Sequence, residues 1–254
     1  MSTISIITVA YNAESTIQSC LDSVARQNVD LEHIVIDGAS TDNTLEIVRR
    51  HQSRQPNVLV ISEPDDGIYD AMNKGLRQAK GDIIGILNAD DFYATDNALS
   101  RVSEVFATAP IDSCYGDLVY VDRDDHDNIT RYWKSSEFHR SAFYHGWMPP
   151  HPTFFVRRRI YEKYGLFNPK LGTAADYELM LRFLFKHGIT TCYIPEVLIK
   201  MRTGGVSNTS LKNRIRANKM DREAWRVNQL RPKPWTLLAK PIRKITQLIV
   251  EPPR

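Results

Sequence analysis

Cysteine is scarce in this chain of 254 residues, which contains three. Cys20, Cys114 and Cys192 are odd in number, far apart and never part of a Cys-x-x-Cys pair. Disulfide frameworks use even numbers of cysteines, and zinc sites use closely spaced ones. The sequence therefore excludes both, and it is typical of reduced thiols in a cytosolic protein.

Long hydrophobic runs are also missing. No apolar stretch approaches the roughly 20 residues that a helix needs to span a bilayer. The segment Met1 to Thr8 has no basic region and no small-residue cleavage site, so we expect no signal peptide. With 42% hydrophobic residues, the chain is long enough for one large domain or for a domain with an appendage.

Two common nucleotide-binding sequences are absent as well. The first turn after the first predicted strand, Thr8 to Glu14, contains no glycine, which excludes a dinucleotide fingerprint. No GxxxxGK[ST] phosphate loop occurs anywhere in the chain. A nucleotide, if one binds, must be held in another way.

What the chain does contain is an alternation of short β-branched runs and helical patterns, which predicts βαβ units with right-handed crossovers and a mostly parallel sheet. Beyond Asp91 this alternation loosens. The predicted strands are 4–9, 33–36, 58–61, 83–87, 114–121, 130–133 and 153–156. The predicted helices include residues 17–25, 45–48, 69–79, 98–107 and 176–185.

The strand beginning at Ile83 ends in an amide and two adjacent carboxylates, Asn88-Ala89-Asp90-Asp91. In an open α/β sheet, ligands bind beyond the carboxyl ends of the strands. Hard cations such as Mg²⁺ bind one or two carboxylates together with phosphate oxygens. The alternative is an ordinary acidic turn, since Asn and Asp are common turn residues.

Four motifs occur in order on this frame: Thr8-Val9-Ala10-Tyr11-Asn12, Asp37 to Asp42, Glu63 to Gly75, and Asn88 to Asp91. In this order the chain resembles the family-2 glycosyltransferases of the GT-A fold over roughly residues 4–200, and the third motif is similar to that of bacterial surface-polysaccharide enzymes. The resemblance implies a Rossmann-like nucleotide-sugar-binding domain over residues 1–205.

The resemblance also implies roles for individual residues. Asp37 matches the carboxylate that accepts from the base, expected to be uracil. Asp90 matches the last acid of the DxD motif, which ligates Mn²⁺ or Mg²⁺, with Asp91 a second candidate, whereas Asn88 replaces the first acid. The residues matching the donor site are Thr8, Ala10, Tyr11, Asp37, Ser40, Asp66, Asn73, Asn88, Ala89 and Asp90; Asp42 and His151 are weaker candidates for contacts to donor or acceptor.

Ala174-Ala175-Asp176 resembles the family's catalytic-base position, with Ala175 in place of the usual Glu. Asp176 would remove a proton from the acceptor hydroxyl as it attacks the sugar in line, with inversion. The alternative is a helix cap, with Thr173 or Asp176 as the capping residue. No QxxRW motif of processive enzymes is present, so transfer of one sugar per encounter is expected.

The C-terminal region is basic. Residues 211–254 hold 12 Lys/Arg against 3 Asp/Glu, and the rest of the chain has an excess of acids. We expect residues 206–254 to form a basic amphipathic extension, with one helix carrying Leu211, Ile215, Ala224 and Val227 on a face and a later stripe from Trp235 to Ile249. It could bind an anionic membrane surface, pack on the body or mediate a homodimer, and no nucleic-acid reader motif accompanies it.

Three function hypotheses follow. The first is an inverting glycosyltransferase at the cytosolic face of the cell membrane, acting on a nucleotide-sugar donor and a glycan or lipid-linked glycan acceptor. The second is a metal-dependent nucleotidyltransferase, which would release pyrophosphate and would not need Asp176. The third is a non-catalytic nucleotide-sugar-binding module, which would not turn the donor over.

Overall fold

The computed structural model describes residues 2–204, 211–237 and 239, with side chains in the last helix described from residue 218 onward. The strands are β1 Ile4–Ala10, β2 Leu31–Asp37, β3 Val58–Ser62, β4 Ile83–Asn88, β5 Asp91–Tyr93, β6 Ser113–Val121, β7 Ile129–Trp133, β8 Phe155–Arg157 and β9 Thr191–Arg202. The α-helices are α1 Ile17–Ala25, α2 Thr44–Gln52, α3 Ile68–Gln78, α4 Ala98–Thr108, α5 Arg158–Tyr164, α6 Ala175–Met180 and α7 Leu211–Val227.

Shorter helical segments complete the chain. Three of them are 3₁₀ segments, and the fourth is a π-helix that continues α6 without a break. The predicted helix 176–185 is therefore one continuous helix that changes from α- to π-helical hydrogen bonding in its second half. These segments are Arg140–His145, His151–Thr153 and Pro169–Ala174, followed by the π-helix Leu181–Lys186.

All nine strands join one sheet in the order β3-β2-β1-β4-β8-β6-β9-β5, and β7 pairs with β6. The strands β3, β2, β1 and β4 are parallel to one another, as is the β6–β9 pair, whereas β8, β7 and β5 run antiparallel to their neighbours. The α/β fold with a largely parallel sheet is therefore confirmed, with the addition of antiparallel strands in its second half.

The parallel strands β1, β2 and β4 are mostly buried on both faces, as their largely apolar sequences predict, whereas the edge strand β3 is partly exposed. On β1, Ile7 packs toward helix α3, whereas Ile6 packs toward α1 and α4. Helix α3 lies especially close to the sheet, because a Cβ on Gly75 would come within 2.3 Å of Ile7 Cγ2. This close contact fixes the helix that carries the third sequence motif.

Strands β5 and β9 were not predicted. Strand β9 contains Pro195, which argues against a strand because proline cannot donate to a β ladder. The structure accommodates it where the β6–β9 register shifts between Tyr115 and Asp117. Strand β5 begins at Asp91, so the predicted acidic turn is shorter than expected and Asp91 starts a new strand against Met201.

Helix α7 corrects one detail of the sequence interpretation. Ala224 is buried as predicted, but Val227 is 40% exposed, and the fully buried neighbour of Ala224 is Trp225. The indole N–H of Trp225 donates to the Tyr177 hydroxyl at 2.9 Å. The side chains of Leu211 and Ile215 lie outside the described residues, as does most of the stripe from Trp235 to Ile249.

No helix in the part of the chain that the structure describes has both the length and the hydropathy needed to cross a membrane.

One buried histidine makes the fold sensitive to acid. His33 lies on β2, and its Nε2 is 2.9 Å from the Thr8 hydroxyl. Burial, with a smaller contribution from His51, lowers the pKa of His33 to about 3. The neutral form is therefore required in the folded state, so stability is complete above the ordinary pKa of about 6.5 and decreases as the pH falls below it.

We expect the free energy of unfolding to be about 2 kcal/mol lower at pH 5 than at pH 7 because of this histidine alone. The reason is that the unfolded chain binds a proton at this residue and the folded chain does not. Urea unfolding at the two pH values measures the loss. His33→Gln should remove it, and the exposed His139→Gln should keep it. An unchanged pH dependence in His33→Gln would contradict this account.

Candidate active site

The carboxyl ends of β1, β2 and β4 meet at one edge of the sheet. Their register pairs Ala10 with Asp37 and Val9 with Asn88. The backbone continues this alignment, since Gly38 N–H donates to the Ala10 carbonyl at 2.9 Å and Ala89 N–H donates to the Val9 carbonyl at 3.2 Å. The first, second and fourth sequence motifs are thus brought together.

Asp37 ends β2 and is fully buried. Its Oδ2 accepts from the Ser62 hydroxyl at 2.7 Å and from the Ser40 N–H at 3.2 Å. Its Oδ1 is buried and has no hydrogen-bond partner among the described residues. An unpaired buried carboxylate oxygen is costly, so Asp37 is suited to accept a hydrogen bond from a ligand.

Tyr11 and Gly38 form the surface beside Asp37. The Tyr11 side chain is 66% exposed, which is unusual for a large aromatic residue and leaves its ring open for stacking. A Cβ at position 38 would lie 2.8 Å from Asp65 Oδ2 and 3.4 Å from the Tyr11 ring. Glycine here therefore lets the chain pass closely between the first and third motifs.

Ser40 and Asp42 connect the β1 turn with the β2 turn. Ser40 Oγ accepts from the Asn12 N–H at 2.9 Å, and Asp42 Oδ2 accepts from the Glu14 N–H at 3.1 Å. Asp42 Oδ1 also accepts from the Thr44 N–H at 2.9 Å, at the start of α2. These two predicted site residues thus hold the rim of the site in shape.

The third motif is organised by Lys74 of α3. Its ammonium is 2.6 Å from Asp65, 3.0 Å from Glu63 and 3.6 Å from Asp70. The hydrogen bond that this ammonium donates to Asp65 is the main cause of the raised pKa of Lys74. Asp66 is exposed at the centre of this loop. The cluster fixes the loop against α3 and leaves the Asp66 carboxylate facing solvent.

Two residues that match the donor site have side chains engaged inside the protein. Asn73 is buried, and its amide both donates to the Phe167 carbonyl and accepts from the Phe167 N–H, each at 3.0 Å. Thr8 is buried against His33, as described above. The structure gives both side chains a packing role, and the Asn73 pair ties α3 to the segment that leads to α6.

The Asn88–Asp91 turn presents oxygen atoms of different exposure. Asp90 is half-buried, whereas Asp91 is fully buried. Asn88 Nδ2 donates to Asp91 Oδ2 at 3.4 Å, and Asn88 Oδ1 and Asp91 Oδ1 are buried atoms without a hydrogen-bond partner among the described residues. Burial, and then the neighbouring Asp90, raises the pKa of Asp91 well above its usual range.

This donor set fits a hard divalent cation. Such cations bind carboxylate and amide oxygens, and Asn88 and Asp91 each keep an oxygen that needs a partner. The described residues contain no group of three or more His, Cys, Asp or Glu that could hold a metal by itself. A metal at this turn would therefore depend on ligand oxygens, such as those of a diphosphate, to complete its coordination.

Arg202, at the end of β9, was missed by the sequence interpretation. Its guanidinium donates to the Asp90 carbonyl and to the Ser19 hydroxyl, each at 2.7 Å, and lies 4.6 Å from the centre of the Phe92 ring. It thus holds the turn between β4 and β5 and supplies positive charge beside it. The only sequence signal was an arginine ending an apolar run, which Pro195 made hard to recognise.

Asp176 is the second residue of α6 and does not cap the helix. The N-cap position is Ala174, which makes no side-chain cap bond. Asp176 Oδ1 accepts from the Tyr177 N–H at 2.7 Å, and its Oδ2 lies 3.3 Å from His151 Nδ1. Neither predicted capping arrangement is therefore present.

Tyr69 and Tyr120 relate Asp176 to the rest of the site. Burial raises the pKa of Tyr69, and the nearby carboxylate of Asp176 raises it further. Burial also raises the pKa of Tyr120, with contributions from both Asp91 and Asp176, against the opposing effect of Arg131. The charges of the acidic turn and of Asp176 are thus both within electrostatic range of the Tyr120 phenol.

Glu178, the neighbouring acid on α6, is engaged in the core. It is buried and accepts from Arg182 Nε and from Asn228 Nδ2, each at 2.9 Å. The Arg182 contact lies within the same continuous helix, whereas the Asn228 contact holds α6 against the end of α7. Asp176 is therefore the acid of this helix that faces the site.

A family model described as Glycosyl transferase family 2 matches residues 5–165 of the chain. The chain belongs to this family. A PGL/p-HBAD biosynthesis glycosyltransferase of Mycobacterium tuberculosis is 31% identical over 209 residues, which cover 81% of this chain and 79% of that protein. The chondroitin synthase of Pasteurella multocida is 32% identical over 215 residues, but these cover only 21% of that longer enzyme.

Solved structures of glycosyltransferases share the fold. TarS 1-349 from S. aureus superposes with a TM-score of 0.68 at 17% identity, covering 96% of this chain and 72% of that one. The chain spans 39% of the longer TarS structure. The mannosyltransferase PcManGT from Pyrobaculum calidifontis, in complex with GDP-Man and Mn²⁺, gives a TM-score of 0.65 at 20% identity, with 93% and 68% covered. The GT-A fold is therefore confirmed.

Family membership decides among the three function hypotheses. The chain is a family 2 glycosyltransferase, and its relatives act in glycolipid and polysaccharide biosynthesis. The nucleotidyltransferase and the non-catalytic module find no support in these comparisons.

Proposed function

We propose that this glycosyltransferase transfers one sugar from a UDP-sugar to a hydroxyl of a lipid-linked glycan acceptor, with inversion at the anomeric carbon. The observation that carries the proposal is the shared level of the carboxyl ends of β1, β2 and β4, where Asp37, Asn88 and Asp91 each keep a buried oxygen without a hydrogen-bond partner among the described residues. These oxygens suit a nucleotide and a metal-bound diphosphate, and Asp176 of α6 is the acid proposed to act on the acceptor.

The proposed uridine site is the edge formed by β1 and β2. Asp37 Oδ1, buried and without a partner among the described residues, would accept the uracil N3–H, and the exposed Tyr11 ring would lie against the base. Ala10 and Ser40 would line this pocket, with Asp66 near the ribose, whereas the Asn73 amide is engaged by the Phe167 backbone. TarS has been solved with UDP and with UDP-GlcNAc, which supports a uridine donor on this fold.

The proposed metal is Mn²⁺ or Mg²⁺, held by Asp90 with Asn88 and Asp91 close by. When bound, it supplies positive charge that offsets the charge of the departing diphosphate. Arg202 would keep the turn in place through the Asp90 carbonyl. The backbone of Ala89, anchored to β1, fixes the start of this turn. PcManGT, solved with GDP-Man and Mn²⁺, supports a metal at this site.

Asp176 is the proposed base. It would take the proton of the acceptor hydroxyl as the oxygen attacks the anomeric carbon and the bond to the diphosphate breaks. Aspartate is one of the side chains that can serve as a general base. His151 lies beside Asp176, and Asp42 is engaged on the rim by the Glu14 and Thr44 N–H groups, so neither is assigned this role.

The basic extension over residues 206–254 is proposed to hold the enzyme against an anionic membrane surface on the cytoplasmic side. Its charge supports this, as does Trp235, which is 47% exposed in the described part of the extension. Helix α7 belongs to the same extension, but its buried Trp225 packs on the body. The membrane contact is therefore assigned to the residues beyond α7.

Replacing the proposed base should stop chemistry without disturbing the fold. Asp176→Asn keeps the size of the side chain and an oxygen that can accept from the Tyr177 N–H. We expect single-turnover sugar transfer to fall about a hundred- to ten-thousandfold, because a general base is lost, while donor affinity stays unchanged.

Glu178→Gln is the matched control, since Glu178 is the buried acid of the same helix and should affect stability rather than the chemical step. Melting temperature, donor titration and single-turnover transfer are measured for both variants. Near-normal transfer by Asp176→Asn would show that Asp176 is not the base.

The membrane contact is tested by co-sedimentation with vesicles. The full chain should bind vesicles of anionic lipid and should dissociate as salt rises, because the attraction is electrostatic and screened. It should bind zwitterionic vesicles weakly. Deletion of residues 232–254 should abolish binding. Equal binding by the truncated chain would contradict the proposal, and a change from dimer to monomer on deletion would assign the segment to an interface between copies.

A further inference from the structure

His151 lies on a short segment that is pinned to the sheet. The segment His151–Thr153 forms a 3₁₀ turn that follows Pro150 and contains Pro152. The buried Thr153 hydroxyl donates to the Gly116 carbonyl at 2.9 Å, and the Gly116 N–H donates back to it at 3.2 Å. The turn that carries His151 is thus bonded to β6 at Gly116.

The imidazole faces the proposed base. His151 Nδ1 is 3.3 Å from Asp176 Oδ2, and the two side chains are 30% and 16% exposed. Both side chains are therefore mostly buried, with the carboxylate the deeper member. A mostly buried carboxylate needs hydrogen-bond donors within the protein, and the imidazole of His151 is placed to supply one.

Other titratable and charged groups surround the pair. From α3, Tyr69 interacts with Asp176, and from β6, Tyr120 is within electrostatic range of Asp176 and of Asp91. From β7, the Arg131 guanidinium lies 4.5 Å from the centre of the Tyr120 ring. Two neutral phenols beside a carboxylate give it a weakly polar environment, in which a hydrogen-bond donor has a large effect on its charge.

We propose that His151 is a positioning residue for Asp176, donating its Nδ1–H to Oδ2 and thereby holding the carboxylate in place and in its charged form. The inference rests on the proposed function of Asp176 as the base. Each carboxylate oxygen has two lone pairs, so Asp176 keeps a free one while it accepts from His151. The acceptor O–H bond then breaks, its proton moves to Asp176, and the oxygen's electron pair forms the new bond as the diphosphate leaves with the old one.

The geometry makes a distinct prediction for two substitutions. An asparagine at position 151 carries its amide nitrogen at the same number of bonds from the backbone as Nδ1, so it can still donate to Asp176. A glutamine carries its amide nitrogen one bond further out, near the position of Nε2. His151→Asn should therefore retain the interaction, whereas His151→Gln and His151→Ala should lose it.

The test measures the pH dependence of kcat with a soluble acceptor, the donor Kd and the melting temperature of the full chain. For His151→Ala we expect kcat to fall about ten- to a hundredfold, with donor Kd and melting temperature unchanged. The acid limb of the kcat profile should move to higher pH, because a hydrogen bond to the charged form lowers the pKa of a carboxyl group and its loss raises it.

His151→Asn should restore most of kcat and the position of the acid limb, and the exposed His139→Ala should leave both unchanged.

The inference is overturned if His151→Ala keeps the wild-type kcat and acid limb. It is also overturned if Asn and Ala variants are equally impaired with weakened donor binding, which would assign His151 to the donor instead. Sugar transfer by Asp176→Asn distinguishes the proposed base from its proposed positioning by His151. If Asp176→Asn is active, Asp176 is not the base. If Asp176→Asn is inactive and His151→Ala is normal, only the positioning role of His151 is refuted.

Discussion

The parallel register of β1, β2 and β4 is the constraint on which the candidate site depends. It places Ala10 beside Asp37 and Val9 beside Asn88, so that three turns far apart in the sequence begin at one level of the sheet. Each strand is buried on both faces, and a slip by one residue would turn every buried side chain to the opposite face. The packing that stabilises the sheet therefore also fixes where the polar turns lie.

The second half of the chain completes the site from the other side. Strand β9 pairs with β6 and with β5, and its last residue, Arg202, reaches back to the Asp90 carbonyl. Helix α6 brings Asp176 to the cleft, and the amide of Asn73 ties α3 to the segment before α6 through Phe167. The β1–β4 half thus provides the proposed donor site, and the later elements provide the proposed base and the positive charge.

The sequence predicted the first half of the fold well, because its signals are local. The strands β1 to β4 are continuous apolar runs, and the polar turns after them follow directly in the chain. Strand β9 was missed because Pro195 interrupts it and its pairing with β6 changes register around that point. The role of Arg202 could not be predicted either, since its contacts lie 112 and 183 residues away along the chain.

Chemistry was harder to predict than position. Asn73 and Thr8 match the donor site in sequence, but their side chains are engaged by Phe167 and His33, contacts that no local pattern indicates. Asp91 continues the acidic turn in sequence, yet pairing with β9 buries it and raises its pKa. The His151–Asp176 contact joins two segments 25 positions apart that only the folded chain brings together.

The most direct test of the central claim is calorimetric titration of UDP into the protein with Mn²⁺ and again after removal of divalent metal with EDTA. The account predicts that UDP binds about tenfold or more tightly with Mn²⁺, corresponding to about 1.4 kcal/mol, and that Asp90→Asn loses this difference while keeping the affinity measured in EDTA. It also predicts that Asp37→Asn weakens UDP binding in both conditions, because the amide can turn a donor toward the uracil N3–H. Equal UDP affinity with and without Mn²⁺ in the wild type, or an Asp90→Asn variant that keeps the full effect of Mn²⁺, would contradict the placement of the donor and metal at the carboxyl ends of these strands.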